Sequence, residues 1–434
     1  MALRALLPIV LAACGTSCGL AETLYTPPDL YSLATERSPD PSAAAVQRQL
    51  AEKAVEEGDP AAAFRFASTA VWLDSGDEVC QRILGYERVD GQWLSPYQKR
   101  QVSRGYAWDA RFGWIKSADL ARYEAGERRY GRRWLSAADA ARVRKTRGED
   151  WRVRTDHWVV TTPHSLEAAA TLAAELERLF QLWRQVFGGY AVEAKDLRPQ
   201  WRGDRPPRAW ARPLQVTFHA SKQAYVNALR HKQPRIAETA GIYFDDLREA
   251  HFFADESRVD GPPSAFRLSP STLPTLYHEA THQLFQESRR TRKNVGAYGS
   301  FWLVEGVATA MESLTPLGDG RYAFAEPGGG RLPDARRRLA EGYSTPLAEL
   351  HGLGSRDLQR RDDLPALYSQ MAGLGTFLLS ADDGRRRPGV VAFLRRLYAD
   401  RLPGRTLWEE IGEGPADAQR AYQRWLQTAP ADDR

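Results

Sequence analysis

Two histidines four residues apart bracket a glutamate in the run His278-Glu279-Ala280-Thr281-His282. On a helix, positions i and i+4 lie one turn apart on one face, so both imidazoles can reach a single tetrahedral ion. Glu279 falls about 100° round the helix from His278. That is beside such an ion, where a general base for a water held by the metal belongs. Further along, Trp302-Leu303-Val304-Glu305-Gly306 can supply a carboxylate, Glu305, as the third ligand. Two neutral imidazoles and one carboxylate leave a fourth position open to water, as in a catalytic zinc site and unlike a closed structural one. The expected cofactor is Zn2+ and the expected chemistry is hydrolysis. The bland alternative is a buried amphipathic helix with incidental histidines.

The elements that must position these groups are legible on either side. Ser271, Thr272 and Pro274 form a helix start, and Leu273, Leu276, Tyr277, Ala280, Leu284 and Phe285 recur at helical spacing. Arg289, Arg290 and Arg292 put positive charge at the C-terminal end, where the helix dipole favours it. A second helix is expected from about Ser300, taken as its N-cap, with Leu303, Val304, Val307, Ala308 and Met311 as its apolar stripe and Glu305 at the stripe's edge. Gly306 costs a helix interior about 1 kcal/mol, but without a side chain it would let this helix approach the zinc helix closely. Upstream, 157–162 and 214–219 read as strands, 166–187 as a long amphipathic helix, 197–213 as a loop, and 221–229 as a helix capped by Ser221. Gly241–Phe244 and Ala250–Phe253 flank Asp245-Asp246 as a hairpin, with His251 a structural or surface residue.

The paired blocks His278-Glu279-x-x-His282 and Trp302-Leu-x-Glu305-Gly306-x-Ala308 resemble the gluzincin metallopeptidases, the clan of thermolysin and the aminopeptidase N family. The likeness runs over roughly residues 151–425 and is nearest to bacterial gluzincin-like families of unknown function. It implies His278, His282 and Glu305 as ligands, Glu279 as base, and a hairpin edge strand that pairs with substrate backbone. Many gluzincins carry an aspartate four residues after the glutamate ligand to hold a ligand imidazole. This chain has Thr309 there, whose hydroxyl could accept the same hydrogen bond more weakly. Gluzincins also commonly add a Tyr or His that stabilises the oxyanion, and Tyr368, opening a helical segment with Leu374, Phe377 and Leu378, is the candidate. The alternative for Tyr368 is plain packing with a satisfied hydroxyl.

At the N-terminus, Met1-Ala-Leu-Arg4 and the apolar run from Ala5 to Ala13 read as an export signal, and Leu11-Ala12-Ala13-Cys14 resembles a lipobox that makes Cys14 the lipidated residue. Ordinary cleavage after Ala21 is the rival. Either implies an exported protein of the bacterial envelope, periplasmic or at the surface, with membrane contact through the anchor. Residues 25–41 read as a Pro- and Ser-rich tether, and Ser42–Glu57 and Pro60–Leu73, broken at Gly58-Asp59, as a tetratricopeptide-like pair followed by a third helix at 78–84. Three short repeats centred on Trp93, Trp114 and Trp134 read as hairpins with a serine cap behind each. Their tryptophans either fill small cores or form platforms for cell-wall sugars.

With 434 residues, 43% hydrophobic content and a net charge of +5, the chain can bury a sizeable core and carries no nucleic-acid module. The expected class is α+β, divided as signal 1–21, tether 22–41, tetratricopeptide-like helices 42–85, tryptophan repeats 86–150, a zincin-like lobe with mixed sheet 151–315, and a helical C-terminal lobe 316–434. The expected function is an exported zinc metallopeptidase acting on a peptide or protein. The alternative is a non-catalytic zinc-containing envelope scaffold that binds glycan or protein through its N-terminal region.

Overall fold

The structure is a computed structural model and describes residues 29–30, 41–205, 210, 212–254, 266–318, 320–399 and 406–428. Cys14, the lipobox and the signal segment lie outside the described residues. The chain mixes helix and sheet.

Three helices open it: α1 (Pro41–Glu57), α2 (Pro60–Leu73) and α3 (Glu78–Leu84). Asp59 ends the break between the first two by accepting from the Ala62 N–H at 3.1 Å, with Pro60 at the first helical position. Ala51, Ala54, Ala63 and Ala67 are buried where α1 and α2 pack, since methyl groups allow a close helix approach. Cys80 is buried in the same cluster, and burial beside Asp77 pushes its thiol pKa up, so it behaves as a small hydrophobe. Within the segment expected to be a tether, Asp29–Leu30 (β1) pairs in parallel with Arg321–Ala323 (β14).

Three hairpins follow: β2 (Glu87–Val89) with β3 (Gln92–Leu94), β4 (Tyr106–Asp109) with β5 (Gly113–Lys116), and β6 (Glu127–Tyr130) with β7 (Arg133–Ser136). Each leads into a helix, α4 (Pro96–Val102), α5 (Leu120–Glu124) and α6 (Ala137–Arg147). Asp90 and Gly91 both have positive φ at the first turn, as a tight two-residue hairpin requires. Ser95 and Gln98 close a capping box, and Ser136 accepts from the Asp139 N–H. The tryptophans pack within the repeats. Trp114 meets Trp108 and Tyr97 edge-on, Trp134 lies between Tyr123 and the Arg122 guanidinium, and Arg88 covers Trp93.

A five-stranded mixed sheet comes next, in the order β11 (Ile242–Phe244), β12 (Glu249–Phe253), β10 (Leu214–His219), β9 (Trp158–Thr162), β8 (Trp151–Arg154). The three inner strands are parallel to one another and both edge strands are antiparallel to their neighbours. The parallel step from β9 to β10 passes through α7 (Leu166–Ala191), capped by Ser165 on the Ala168 N–H at 3.1 Å. Residues 197–213, expected to be a loop, begin as helix α8 (Ala194–Arg202). Leu197 is fully buried against the α1–α3 cluster and Trp201 packs beside it, and that burial outweighs the helix-breaking tendency of Pro199.

After α9 (Lys222–Leu229) come the two motif helices, α10 (Thr272–Glu287) and α11 (Phe301–Met311). β13 (Thr315–Pro316), paired with β14, then leads to α12 (Leu332–Ala340), α13 (Leu347–Gly352), α14 (Ser355–Gln359), α15 (Leu364–Gly384), α16 (Arg387–Ala399), α17 (Leu407–Ile411) and α18 (Pro415–Thr428). One hydrophobic cluster runs from Trp108 to Leu426, so the helices beyond residue 316 share their core with the sheet. Among the described residues no helix is long and apolar enough to cross a membrane.

Two expectations about α11 change. Ser300 precedes it with φ +59° and caps nothing, its hydroxyl lying 3.3 Å from His351 Nδ1. Gly306 faces α15, not α10: a Cβ there would lie 3.0 Å from Met371 O, and a Cβ at Gly375 would run into the Gly306 carbonyl. The two glycines let α11 and α15 cross backbone to backbone, which places Glu305. Gly375→Ala should therefore destabilise by about 1–3 kcal/mol, more than Gly306→Ala, and lower metal content; urea unfolding of both variants checks the order.

Candidate metal centre

α10 is pinned on three sides before any ligand is considered. Gln283 Oε1 accepts from Trp158 Nε1 at 3.3 Å, and Gln283 Nε2 donates to Gln215 O at 3.0 Å, tying the helix to β9 and β10. The Tyr277 hydroxyl donates to Glu175 on α7 at 2.6 Å. At the sheet edge the Tyr243 N–H donates to Glu279 Oε2 at 2.9 Å, and the Tyr243 hydroxyl to Glu287 at 3.2 Å. These bonds fix the rotation of α10 about its own axis and so the direction of both imidazoles.

His278, His282 and Glu305 form a group that could hold a metal ion, with ligand atoms all within 4.8 Å of one another. The two Nε2 atoms are 3.1 Å apart, and the Glu305 carboxylate oxygens lie 3.5 Å from His278 Nε2 and 3.6 Å from His282 Nε2. Bonds of about 2.0–2.2 Å to a tetrahedral ion separate its ligands by about 3.3–3.6 Å, so the residues present fit such an ion. The donor set of two imidazoles and one carboxylate suits a borderline divalent metal.

The partner of His278 is Glu312, which sequence reasoning missed. Its Oε1 lies 2.8 Å from His278 Nδ1, and Arg331 Nε donates to its Oε2 at 2.8 Å. A carboxylate on Nδ1 fixes the tautomer that leaves Nε2 as the ligand atom. Thr309, expected in this role, donates instead to the carbonyls of Glu305 and Gly306 at 2.8 and 3.1 Å, inside its own helix. The signal was present: Glu312 is seven residues after Glu305, two turns on along the same helix face, and its longer side chain covers the extra turn.

Electrostatics follow from burial and neighbours. Burial alone would raise the Glu305 carboxyl, but His282 and the hydrogen bond from His278 outweigh it and hold the pKa at about 2. Burial holds His282 down to about 4, against the pull of Glu305. Glu279 is raised above the usual carboxylate range by burial, with His278 and the Tyr243 N–H opposing and Glu305 adding to the rise. A carboxylate raised in this way is better matched to proton transfer near neutral pH. The negative charge of Glu305, together with burial, pushes the Tyr368 hydroxyl pKa far up, so it stays a donor. Arg331 lies over its ring at 5.8 Å.

His251 stands apart from this group. It pairs with His219 on the neighbouring strand, Nδ1 to Nε2 at 3.3 Å with stacked rings, and burial holds both near 4 and neutral.

Glu312→Gln should weaken metal binding about 10–100-fold, whereas Thr309→Val should leave it within error, as read by competition with a chromogenic chelator. Equal losses in the two variants would return the role to Thr309. No family model and no curated protein matches this chain.

Proposed function

We propose that the chain is a zinc-dependent hydrolase of peptide bonds built on a zincin-like arrangement, with α10 and α11 as its two ligand-bearing helices and the later helices as its second lobe. The observation that carries this reading is the meeting of His278, His282 and Glu305 with the half-buried Glu279 carboxylate beside them, held by the Tyr243 N–H. Structural sites need no such unliganded carboxylate. Zinc held there would supply the Lewis acidity that makes water nucleophilic and polarises a carbonyl.

The chain's own residues would do the rest. Glu279 Oε1, free of the Tyr243 bond, takes a proton from the attacking water and passes it to the leaving amine. Tyr368 keeps its proton and donates to the oxygen that becomes negative, moving from Glu305 as the peptide enters. β11 is an edge strand of the sheet whose Tyr243 N–H already meets the base. An extended peptide laid along that edge therefore passes beside Glu279. These roles, with the ligand set, support the likeness to gluzincins.

Glu279→Gln should retain metal and fold but lose hydrolysis of an unbiased peptide library, because the amide keeps the shape and cannot accept the proton. Tyr368→Phe should lower kcat by about 10²–10³ with KM nearly unchanged. Turnover by the Gln variant at the native rate would sink the mechanism, and no chelator-sensitive turnover by the native protein would favour a binding-only envelope scaffold.

We also propose export with a lipid anchor at Cys14, on the strength of the Leu11–Cys14 motif alone. Cys14→Ser should abolish lipid labelling and release the protein from membranes; a mature native chain beginning at Glu22 would overturn it.

A further inference from the structure

A cavity of about 1090 Å3 lies beyond the C-terminal end of α10, away from the metal ligands. Four parts of the chain distant in sequence build it: the start of α2, the end of α7, the segment 289–292 and the junction of α15 with α16. Seven of its lining residues are arginines and three, Glu57, Asp59 and Asp383, are carboxylates. Carboxylates outside the lining pair with some of the arginines. Glu193 takes Arg289 and Arg395, and Glu410 takes Arg396. Among the described residues, no carboxylate pairs with Arg65, Arg290 or Arg387.

Arg387 is only 6% exposed, yet its one hydrogen bond is from Nε to Leu379 O at 2.8 Å, and no carboxylate pairs with it among the described residues. Among the described residues Arg65 forms no ion pair either, and its buried Nε has no hydrogen-bond partner. Arg290 is exposed, and it too forms no ion pair among the described residues. A guanidinium buried without a carboxylate partner is costly, and the Nε of Arg65 has given up water without gaining an acceptor. Burial, together with the nearby Arg65 charge, pulls Arg387 down to about 9 despite Asp59. An oxyanion would satisfy these groups, since the planar guanidinium fork matches the spacing of phosphate oxygens.

Size and lining narrow the ligand. The space far exceeds one phosphate ion, and Val186, Val192, Val391 and Ala392 give part of the wall an apolar surface. We propose that this cavity binds a phosphate ester, with Arg387 and Arg65 meeting the phosphate and the apolar wall receiving the group that carries it. A phosphomonoester brings nearly two negative charges at neutral pH, enough to meet both guanidinium groups. The same chemistry is offered by a soluble ester and by a phospholipid headgroup.

The test uses the full metal-loaded chain and calorimetric titration with inorganic phosphate and hexyl phosphate, plus sedimentation with phosphatidylcholine vesicles with and without phosphatidic acid. Hexyl phosphate is expected to bind saturably and more tightly than inorganic phosphate, and to raise the Tm. Arg387→Gln should weaken it about tenfold or more. Because Arg387 is buried, Arg290→Glu serves as the second variant: it lies at the exposed rim, and should weaken binding while fold and metal content stay native. Vesicle binding that needs phosphatidic acid and is displaced by hexyl phosphate assigns the lipid source, and hexyl phosphate binding without vesicle binding assigns a soluble ester. Non-saturable uptake, or equal affinity in the native chain and both variants, overturns the site. None of these readouts requires hydrolysis, so the result stands apart from the peptidase reading.

Discussion

Two imidazoles and a carboxylate held within 4.8 Å of one another, largely away from water, are the costliest arrangement in this chain, and much of the surrounding structure satisfies them. Glu312 takes the outer nitrogen of His278, and Arg331 in turn neutralises Glu312. Tyr368 keeps its proton beside the Glu305 charge. The Tyr243 N–H holds one oxygen of Glu279 and leaves the other free of that bond. Each partner comes from a different element, so the group coheres only when β11, α10, α11, the residue 331 turn and α15 are all in place.

Backbone proximity makes this possible. Glu305 sits on a helix that meets α15 through Gly306 and Gly375, and side chains at either position would push the helices apart and withdraw the carboxylate. Trp302, fully buried one turn earlier on α11, stacks against Trp408 and helps to fix the same helix. On α10 the corresponding anchors are polar: Gln283 reaches two strands at once, and Glu175 accepts from both Tyr277 and Tyr322. Directional bonds suit a helix whose rotation must be fixed, because apolar packing alone tolerates small rotations.

The N-terminal region joins this assembly as a packed part of it. Ser95 and Gln98, the capping box of the first tryptophan repeat, both reach Asp156 in the turn between β8 and β9. Burial and the nearby Glu177 raise the Asp156 carboxyl to about 6, and Glu177 itself is held by His157. Arg128 of the third repeat pairs with Glu167 on α7, both buried. Through these contacts, with their half-buried tryptophans packed on neighbouring aromatics and arginines, the repeats brace the sheet.

What the sequence determined by itself are the features set by neighbours along the chain. The i and i+4 histidines, the serine and aspartate caps, the Asp90-Gly91 turn and the long apolar stripe of α7 follow from helical and hairpin geometry, which is local. Glu305 was legible too, because its spacing and the flanking Trp302 and Gly306 form a pattern of their own. Only the tertiary structure decided which groups meet across the core. Thr309 turns back on its own helix while Glu312 reaches His278, Gly306 serves α15 and not α10, Ser300 adopts a positive φ in place of a cap, and 194–202 is helical despite Pro199. The arginines of the cavity are scattered from Arg65 to Arg396, and along the chain Arg289, Arg290 and Arg292 read only as charge at a helix end. Their convergence depends on contacts between elements hundreds of residues apart, and periodicity along a chain carries no information about which distant face will arrive opposite.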